Sequence, residues 1–313
     1  MAALPEPDVL PEPELGALTE RLAATRLVTL TGPGGVGKSR LAARLGEAVG
    51  PPVRWVDLSG CPDAALVPHT VATALYTAPA PGADPVPAVL DLLATSRGLL
   101  VLDTCEHVLT GCAYLVGRLH DSCPGLRILT TSRKPLGVPG EQLVEVPALT
   151  RERTAGLLQE HAASYGLELP AYWAGLLAGQ LDGDPLATLL AARSLRLMTA
   201  RQLHGSLREP GGRFAVLTDG PGDPARHRTL LRTVEWSHEL CSRAERLLWA
   251  RLSAFAGEFT EEQVRTVFPD GSSLASLVSS SVVLAHRDGI YRLPLAHREY
   301  GQLRLAGLGD TLG

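Results

Sequence analysis

Lysine is nearly missing from this chain: among 313 residues it occurs only at Lys38 and Lys134, while arginine, alanine, glycine and proline abound. No apolar run approaches the roughly 20 residues that a membrane-spanning helix requires. The start, "MAALPEPDVLPEPEL", is acidic and proline-rich and so lacks the form of a secretion signal. Positive charge is not in excess, since the formal net charge is -4, and bulk electrostatics give no pull toward nucleic acid. The five cysteines, Cys61, Cys105, Cys112, Cys123 and Cys241, show no C-x-x-C spacing and are odd in number. They read as reduced core thiols, which together with the missing leader predicts a cytoplasmic protein. No helical repeat period is present, which excludes a solenoid array within these residues.

What the chain does have is "TGPGGVGKSR", residues 31–40. Leu27–Leu30 before it is a short apolar run of strand length, and the residues from Ser39 to Val49 carry Leu41, Leu45 and Val49 on a helical stripe. Strand, glycine loop and helix form the context that G-x-x-x-x-G-K-[ST] needs to hold a polyphosphate. Gly32, Gly34, Gly35, Val36 and Gly37 let successive backbone N–H groups converge on phosphate oxygens, and the start of the helix at Arg40 adds its positive dipole end. Lys38 is expected to reach the β-phosphate of ADP and the β- and γ-phosphates of ATP, and the Ser39 hydroxyl to be a Mg²⁺ ligand. One of the only two lysines therefore stands where the motif demands it.

A second carboxylate site is expected for the metal. "GLLVLDTCEHVL" supplies the run Leu99–Leu102 ending in Asp103, the Walker B candidate delivered by a buried strand. Thr104 follows, where many hydrolytic relatives of this design have an acid. The next acid is Glu106, which reads equally as the base that primes water or as the opening of the next segment. Its distance from Asp103 predicts slow chemistry. His107 reads as a packing or surface residue, because no second ligand sits at metal spacing.

Further strands are expected over 53–60, 126–133 and 142–149, with helices over 64–75, 86–95 and 108–119 and a proline-rich loop over 77–87. The alternation predicts a parallel doubly wound α/β sheet. Residues 150–208 read as all-helical and 209–228 as a glycine- and proline-rich connector. Residues 229–313 read as helices followed by a small hairpin on Asp288-Gly289, a winged helix. Within it Ser242 with Glu245, and Thr260 with Gln263, form capping boxes. Trp236, Trp249, Phe255 and Phe259 suit its core. Residues 1–14 are a proline-rich tail and 15–149 the phosphate-loop domain.

"LVTLTGPGGVGKSRLA", "LLVLDTCEHVL", "LRILTTSRKPLGVPGE", "LDGDPLA" and "TVEWSHELCSRAERLLWARLSAFAGEFT" occur in that order. Together, over about residues 15–305, they resemble the STAND-type signal-transduction ATPases of NB-ARC kind, as in the ATPase core of actinobacterial SARP-type and large LuxR-type regulators. The resemblance implies that Arg133 of "TTSR" reads the γ-phosphate, and that Pro185 of "GDPLA" lies against the base or sugar. It implies an ATP/ADP switch in transcriptional regulation, with self-association in the ATP state and an unidentified effector. Three places depart from the family pattern. Leu10 and Pro11 replace a glycine and an arginine, Asp184 stands where an apolar residue is usual, and Leu293, Pro294 and Leu295 replace a Met-His-Asp triplet. His297 then reads as core or surface.

Two other functions stand beside the switch: a scaffold that binds nucleotide without turnover, and a winged helix that reads DNA directly. The second is disfavoured because the helix placed to enter a groove, "SSLASLVSS", has neither Lys nor Arg, and Arg287 and Arg292 on the wing are too few. A small-molecule kinase lacks an acceptor-site motif.

Overall fold

The computed structural model describes residues 12–77, 82–218, 228–268 and 274–309. Leu10 and Pro11 lie outside them. By backbone proximity the chain divides into two units, one comprising residues 8–32 and 37–146, the other residues 147–313 together with the loop tip Pro33–Val36.

The first unit is a five-stranded parallel sheet with helices on both faces. Its elements are α1 (Glu12–Thr25), β1 (Leu27–Thr31), α2 (Lys38–Val49), β2 (Val53–Asp57), α3 (Val67–Ala74), α4 (Pro85–Leu93), β3 (Leu99–Asp103), α5 (Leu109–Ser122), β4 (Arg127–Thr131) and β5 (Gln142–Glu145). The strand order is β2-β3-β4-β1-β5, and every pairing is parallel. All five residues of β3 are buried, as are the first four of β1, which is why these strands read as mostly apolar runs, interrupted in β1 by Thr29. α1 and α2 pack on one face, while α3, α4 and α5 pack together on the other. There Val71, Val89 and Leu115 meet Leu100, Leu102 and Ile128 of the sheet.

Several boundaries differ from those expected. The strand predicted over 53–60 ends at Asp57, whose carboxylate accepts the Ser59 N–H at 2.8 Å and turns the chain. The helix predicted over 64–75 is a 3-10 turn, Ala64–Leu66, followed by α3 with Pro68 in its first turn. Proline cannot donate an N–H to a preceding turn, so the helix restarts there. The tail expected to reach residue 14 gives way to α1 at Glu12. The connector expected over 209–228 contains a short helix, Gly212–Val216, tied down by the Ser194 hydroxyl donating to Val216 O at 2.6 Å; residues 219–227 lie outside those described.

The second unit continues with α6 (Arg151–Ser164), α7 (Ala171–Leu181), α8 (Pro185–Ser194), α9 (Ala200–Ser206), α10 (Gly212–Val216), α11 (Leu230–Glu239), α12 (Arg243–Leu252), β6 (Phe259–Thr260), α13 (Glu261–Val267), α14 (Leu274–Ser279), β7 (Leu284–Ala285), β8 (Ile290–Arg292) and α15 (Leu295–Gly309). Both expected capping boxes form, at Ser242/Glu245 and Thr260/Gln263. β7 and β8 pair antiparallel about a turn in which Asp288 and Gly289 both have positive φ, 68° and 72°. β6 completes a three-stranded sheet in the order β6-β8-β7. Trp249 and Phe259 are fully buried, Trp236 and Phe255 partly. All five cysteines are buried free thiols.

His297 is core: it is buried, its Nδ1 meets Val282 O at 3.0 Å, and its carbonyl accepts the Trp249 indole N–H at 2.8 Å. Among the described residues no helix is long and apolar enough to cross a membrane.

Candidate functional site: a phosphate loop beside a buried carboxylate

β1 ends at Thr31 and the chain turns through Gly32 to Gly37 into α2. Gly35 and Gly37 have φ of 88° and 100°, a left-handed backbone that side chains rarely adopt. A Cβ on Gly35 would also meet Asp184 Oδ1 and Leu186 Cβ at 3.0 Å, so space and backbone both require glycine there. Gly32 and Gly34 flank Pro33, and Val36 is buried with 3% of its surface exposed. Gly37 is the N-cap of α2, with no side-chain cap over it. The first-turn N–H groups of α2, from Lys38, Ser39 and Arg40, therefore face the loop as a helix N-terminus does toward an anion. The Lys38 ammonium donates to Gly32 O at 2.8 Å, which folds the side chain back over the loop.

Asp103 ends β3, and β4 separates that strand from β1. The register pairs Leu30 with Thr131 on one side of β4 and Leu102 with Thr130 on the other. Ser39 Oγ donates to Asp103 Oδ1 at 2.7 Å, and Thr131 Oγ1 donates to the same oxygen. Thr131 Oγ1 also accepts the Thr104 N–H at 2.9 Å. Thr104 has φ 66°, an unusual conformation for a β-branched residue, and the Cys105 N–H bond to Thr131 O at 2.9 Å holds the turn. Thr131 is a site residue that sequence reading missed. Its only signal was a hydroxyl at a strand end, and its value depends on strand order.

Burial raises the Asp103 carboxyl above its ordinary range; the bonds from Thr131 and Ser39 pull the other way, and Asp57 and Glu106 add to the rise. A carboxylate so enclosed favours a cation or a proton beside it. With the Ser39 hydroxyl it offers two adjacent hard oxygen donors. Among the described residues no group of three or more His, Cys, Asp or Glu could hold a metal. Two protein oxygens beside a phosphate cradle suit Mg²⁺, which keeps several waters and takes the rest of its shell from phosphates. The donor set therefore fits nucleotide-bound Mg²⁺.

Glu106 and Arg133 are brought together. Arg133 Nε donates to Glu106 Oε1 at 3.2 Å, with side chains only 3% and 5% exposed. His107 Nε2 meets Cys61 O at 2.9 Å, a packing contact.

In the second unit Pro185 opens α8, and Asp184 before it is the N-cap, accepting from Leu186 N at 2.8 Å and Ala187 N at 3.2 Å. The polar residue at a usually apolar position is thus a helix cap. Burial lifts its carboxyl to about 6. Asp184 and Ala187 line a pocket with Pro33, Gly34 and Val36 of the loop tip and with Arg213. Arg213, also missed from sequence, is buried, pairs with Glu299 at 3.1 Å and donates to Gln180 O at 2.6 Å. Pro294, in place of the expected triplet, lines the same pocket.

No family model matches the chain. The chain belongs to the family of the Mycobacterium tuberculosis H37Rv protein Rv0894, itself called uncharacterized: the two are 33% identical over 321 residues, covering 95% of this chain and 81% of the relative. It is 34% identical over 310 residues to Rv0890c of the same organism, whose name describes an HTH-type transcriptional regulator; the match covers 93% of this chain but 35% of that relative. This chain thus spans about a third of the regulator's length. Among solved structures, the Walker-type ATPase PABY2304 of Pyrococcus abyssi superposes with a TM-score of 0.60 at 14% identity, over 93% of this chain and 94% of that one. The Aeropyrum pernix ORC2 protein, solved in ADPNP–ADP complexes, does so with 0.58 at 16% identity, over 98% and 96%. The chain has the P-loop ATPase fold.

Proposed function

We propose that this chain is an ATP/ADP-binding signal-transduction switch of the STAND, NB-ARC kind, with slow Mg²⁺-dependent hydrolysis, working in transcriptional regulation. The observation that carries the reading is the convergence of the Lys38 loop with the Ser39–Asp103–Thr131 cluster. Backbone N–H groups at the start of α2 and the Lys38 ammonium hold the phosphates, with Lys38 leaving Gly32 O to do so. Ser39 and Asp103 hold Mg²⁺, which when bound neutralises charge on the β- and γ-phosphates. Arg133 reads the γ-phosphate, and Pro185 lies against the base or sugar. In this reading the units are a phosphate-loop domain (15–149), a helical domain (150–208) and a winged-helix module (229–313).

Exchange of ADP for ATP shifts the population between two forms by no more than the difference in their affinities for each nucleotide. Self-association or effector binding follows from the ATP form. Direct DNA reading is not favoured: α14 has neither Lys nor Arg, and Arg292 is held by both oxygens of Asp182 at 3.0 Å. The likeness of the longer relative to an HTH-type regulator supports the regulatory setting.

A non-hydrolysing, nucleotide-dependent scaffold is the second reading. It is favoured by Thr104 after Asp103 and by Glu106 being engaged with Arg133.

The test is calorimetric titration of ATP and ADP, with and without Mg²⁺, followed by phosphate release. Heat with both nucleotides and slow release supports the switch, and tight binding with no release supports the scaffold. No heat with either nucleotide on folded protein ends both.

A further inference from the structure

Glu106 stands three residues past Asp103, near enough to suggest the base that activates water. Its surroundings point elsewhere. The loop that carries it is pinned by Thr104 N–H to Thr131 Oγ1 and by Cys105 N–H to Thr131 O, both at 2.9 Å. Those two bonds tie the end of β3 to the end of β4, and Arg133 leaves β4 two residues later. The result is a buried pair, Arg133 Nε to Glu106 Oε1 at 3.2 Å, with 3% and 5% of the side chains exposed. A cation buried that deeply is costly unless a counter-charge lies beside it, and the carboxylate supplies one.

From this geometry we infer that Glu106 is a positioning residue: the built-in counter-ion of Arg133, against which the γ-phosphate must compete, so that it sets the preference for ATP over ADP. The inference rests on the nucleotide-binding reading above. A γ-phosphate presents more oxygens and more charge to the guanidinium than the Glu106 carboxylate does. To reach that guanidinium it must approach a fixed negative charge. ADP has no third phosphate and leaves the pair undisturbed. Glu106 therefore opposes ATP selectively and holds the chain toward the ADP form.

The experiment compares wild type, Glu106→Gln and Glu106→Asp in calorimetric titrations with Mg²⁺. The ligands are ADP and the non-hydrolysable adenosine 5′-(β,γ-imido)triphosphate. Glutamine keeps the shape and removes the charge. It should raise the ratio of triphosphate to diphosphate affinity by about tenfold, with ADP affinity itself within about threefold of wild type. Aspartate keeps the charge but sets it back by one methylene, so the ratio should rise by only about twofold to fourfold. A role confined to folding would weaken both ligands alike and leave the ratio unmoved. An unchanged or lowered ratio in Glu106→Gln overturns the inference. Should that variant fail to fold by circular dichroism, Glu106→Asp decides, and an unchanged ratio there overturns it. A wild type that binds neither ligand takes down the nucleotide reading and this inference with it. A wild type that binds both, with no rise in the variants, removes this inference alone.

Discussion

Ser39 Oγ lies 2.7 Å from Asp103 Oδ1 although 64 positions of chain separate them. The first stands at the start of the helix after the phosphate loop, the second at the end of a strand two places away in the sheet. Nothing but the wound sheet brings them together, and in the proposed reading a divalent cation would replace this hydrogen bond.

Asp103→Asn should separate metal dependence from phosphate binding. Asparagine retains the oxygen that accepts from Ser39 and Thr131 but lacks the charge. In Mg²⁺ its nucleotide affinity should fall to within about threefold of the value that wild type shows in EDTA. Burial raises the Asp103 carboxyl, so the folded chain binds that proton more tightly than the unfolded chain does. The stability tied to this proton is complete at low pH and is lost as pH rises through the raised value. The neutral variant should thus melt no lower than wild type at pH 7.5 without nucleotide. A full Mg²⁺ response in the variant would remove Asp103 from the metal site.

Lys38→Ala should weaken ATP and ADP alike by about 10- to 100-fold, the loss expected for a hydrogen bond to a charged group. Its ammonium is held by Gly32 O in this structure, an interaction within one loop, so the melting temperature without nucleotide should shift little. Calorimetry and a thermal melt on the same sample check both halves. Wild-type affinity in the variant would mean that phosphates are held elsewhere.

Asp184 gives a pH dependence. Its carboxyl is lifted from 3.8 to about 6 by burial, against the pull of the Ala187 and Leu186 N–H groups; Asp182 adds to the rise and Arg213 opposes it. The folded form holds this proton longer, so the contribution is complete below about 4 and declines as pH rises through about 6. The decline amounts to at most about 3 kcal/mol, reduced by the partial exposure of the side chain. Asp184→Asn keeps the cap oxygen and stays neutral. Its urea midpoint should gain on wild type between pH 4.5 and 7.5. His238 titrates the other way: burial, then Arg304 and Arg246, lower it to about 4, so its contribution is lost as pH falls from about 6.5. That effect is common to both proteins and cancels in the difference. An equal difference at the two pH values would show that Asp184 does not titrate as described.

The turn before Asp184 ties two parts of the second unit together. Asp182 receives Arg292 Nη1 on both oxygens at 3.0 Å and the Leu295 N–H at 2.9 Å, which caps α15. Asp182 has φ 56°, which asparagine tolerates and alanine does not. Asp182→Asn should cost about 1–2 kcal/mol through loss of charge, and Asp182→Ala about 1 kcal/mol more. Urea denaturation checks the order, and an asparagine variant as stable as wild type would show the pair to be inert.

The phosphate loop was legible because its chemistry is local. Eight consecutive residues carry the glycines, the lysine and the hydroxyl, and the apolar runs on either side announce strand and helix. The capping boxes at Ser242 and Thr260 and the turn at Asp288-Gly289 were legible for the same reason. Element ends were less so, since Asp57 stops a strand and Pro68 restarts a helix through single contacts that a period does not reveal.

Sequence by itself determined the strand, the glycine loop and the helix start around Gly32–Ser39, because backbone conformation and helix start depend on neighbours in the chain. Only the tertiary structure decided what surrounds it. Thr131 bonds Asp103, and Glu106 pairs with Arg133, because β4 is threaded next to β3 and β1. Arg292 is held by Asp182 because the second unit folds back on its own turn. A hydrogen bond or an ion pair takes effect only at contact distance, and between residues far apart in the chain that distance is set by strand order and packing.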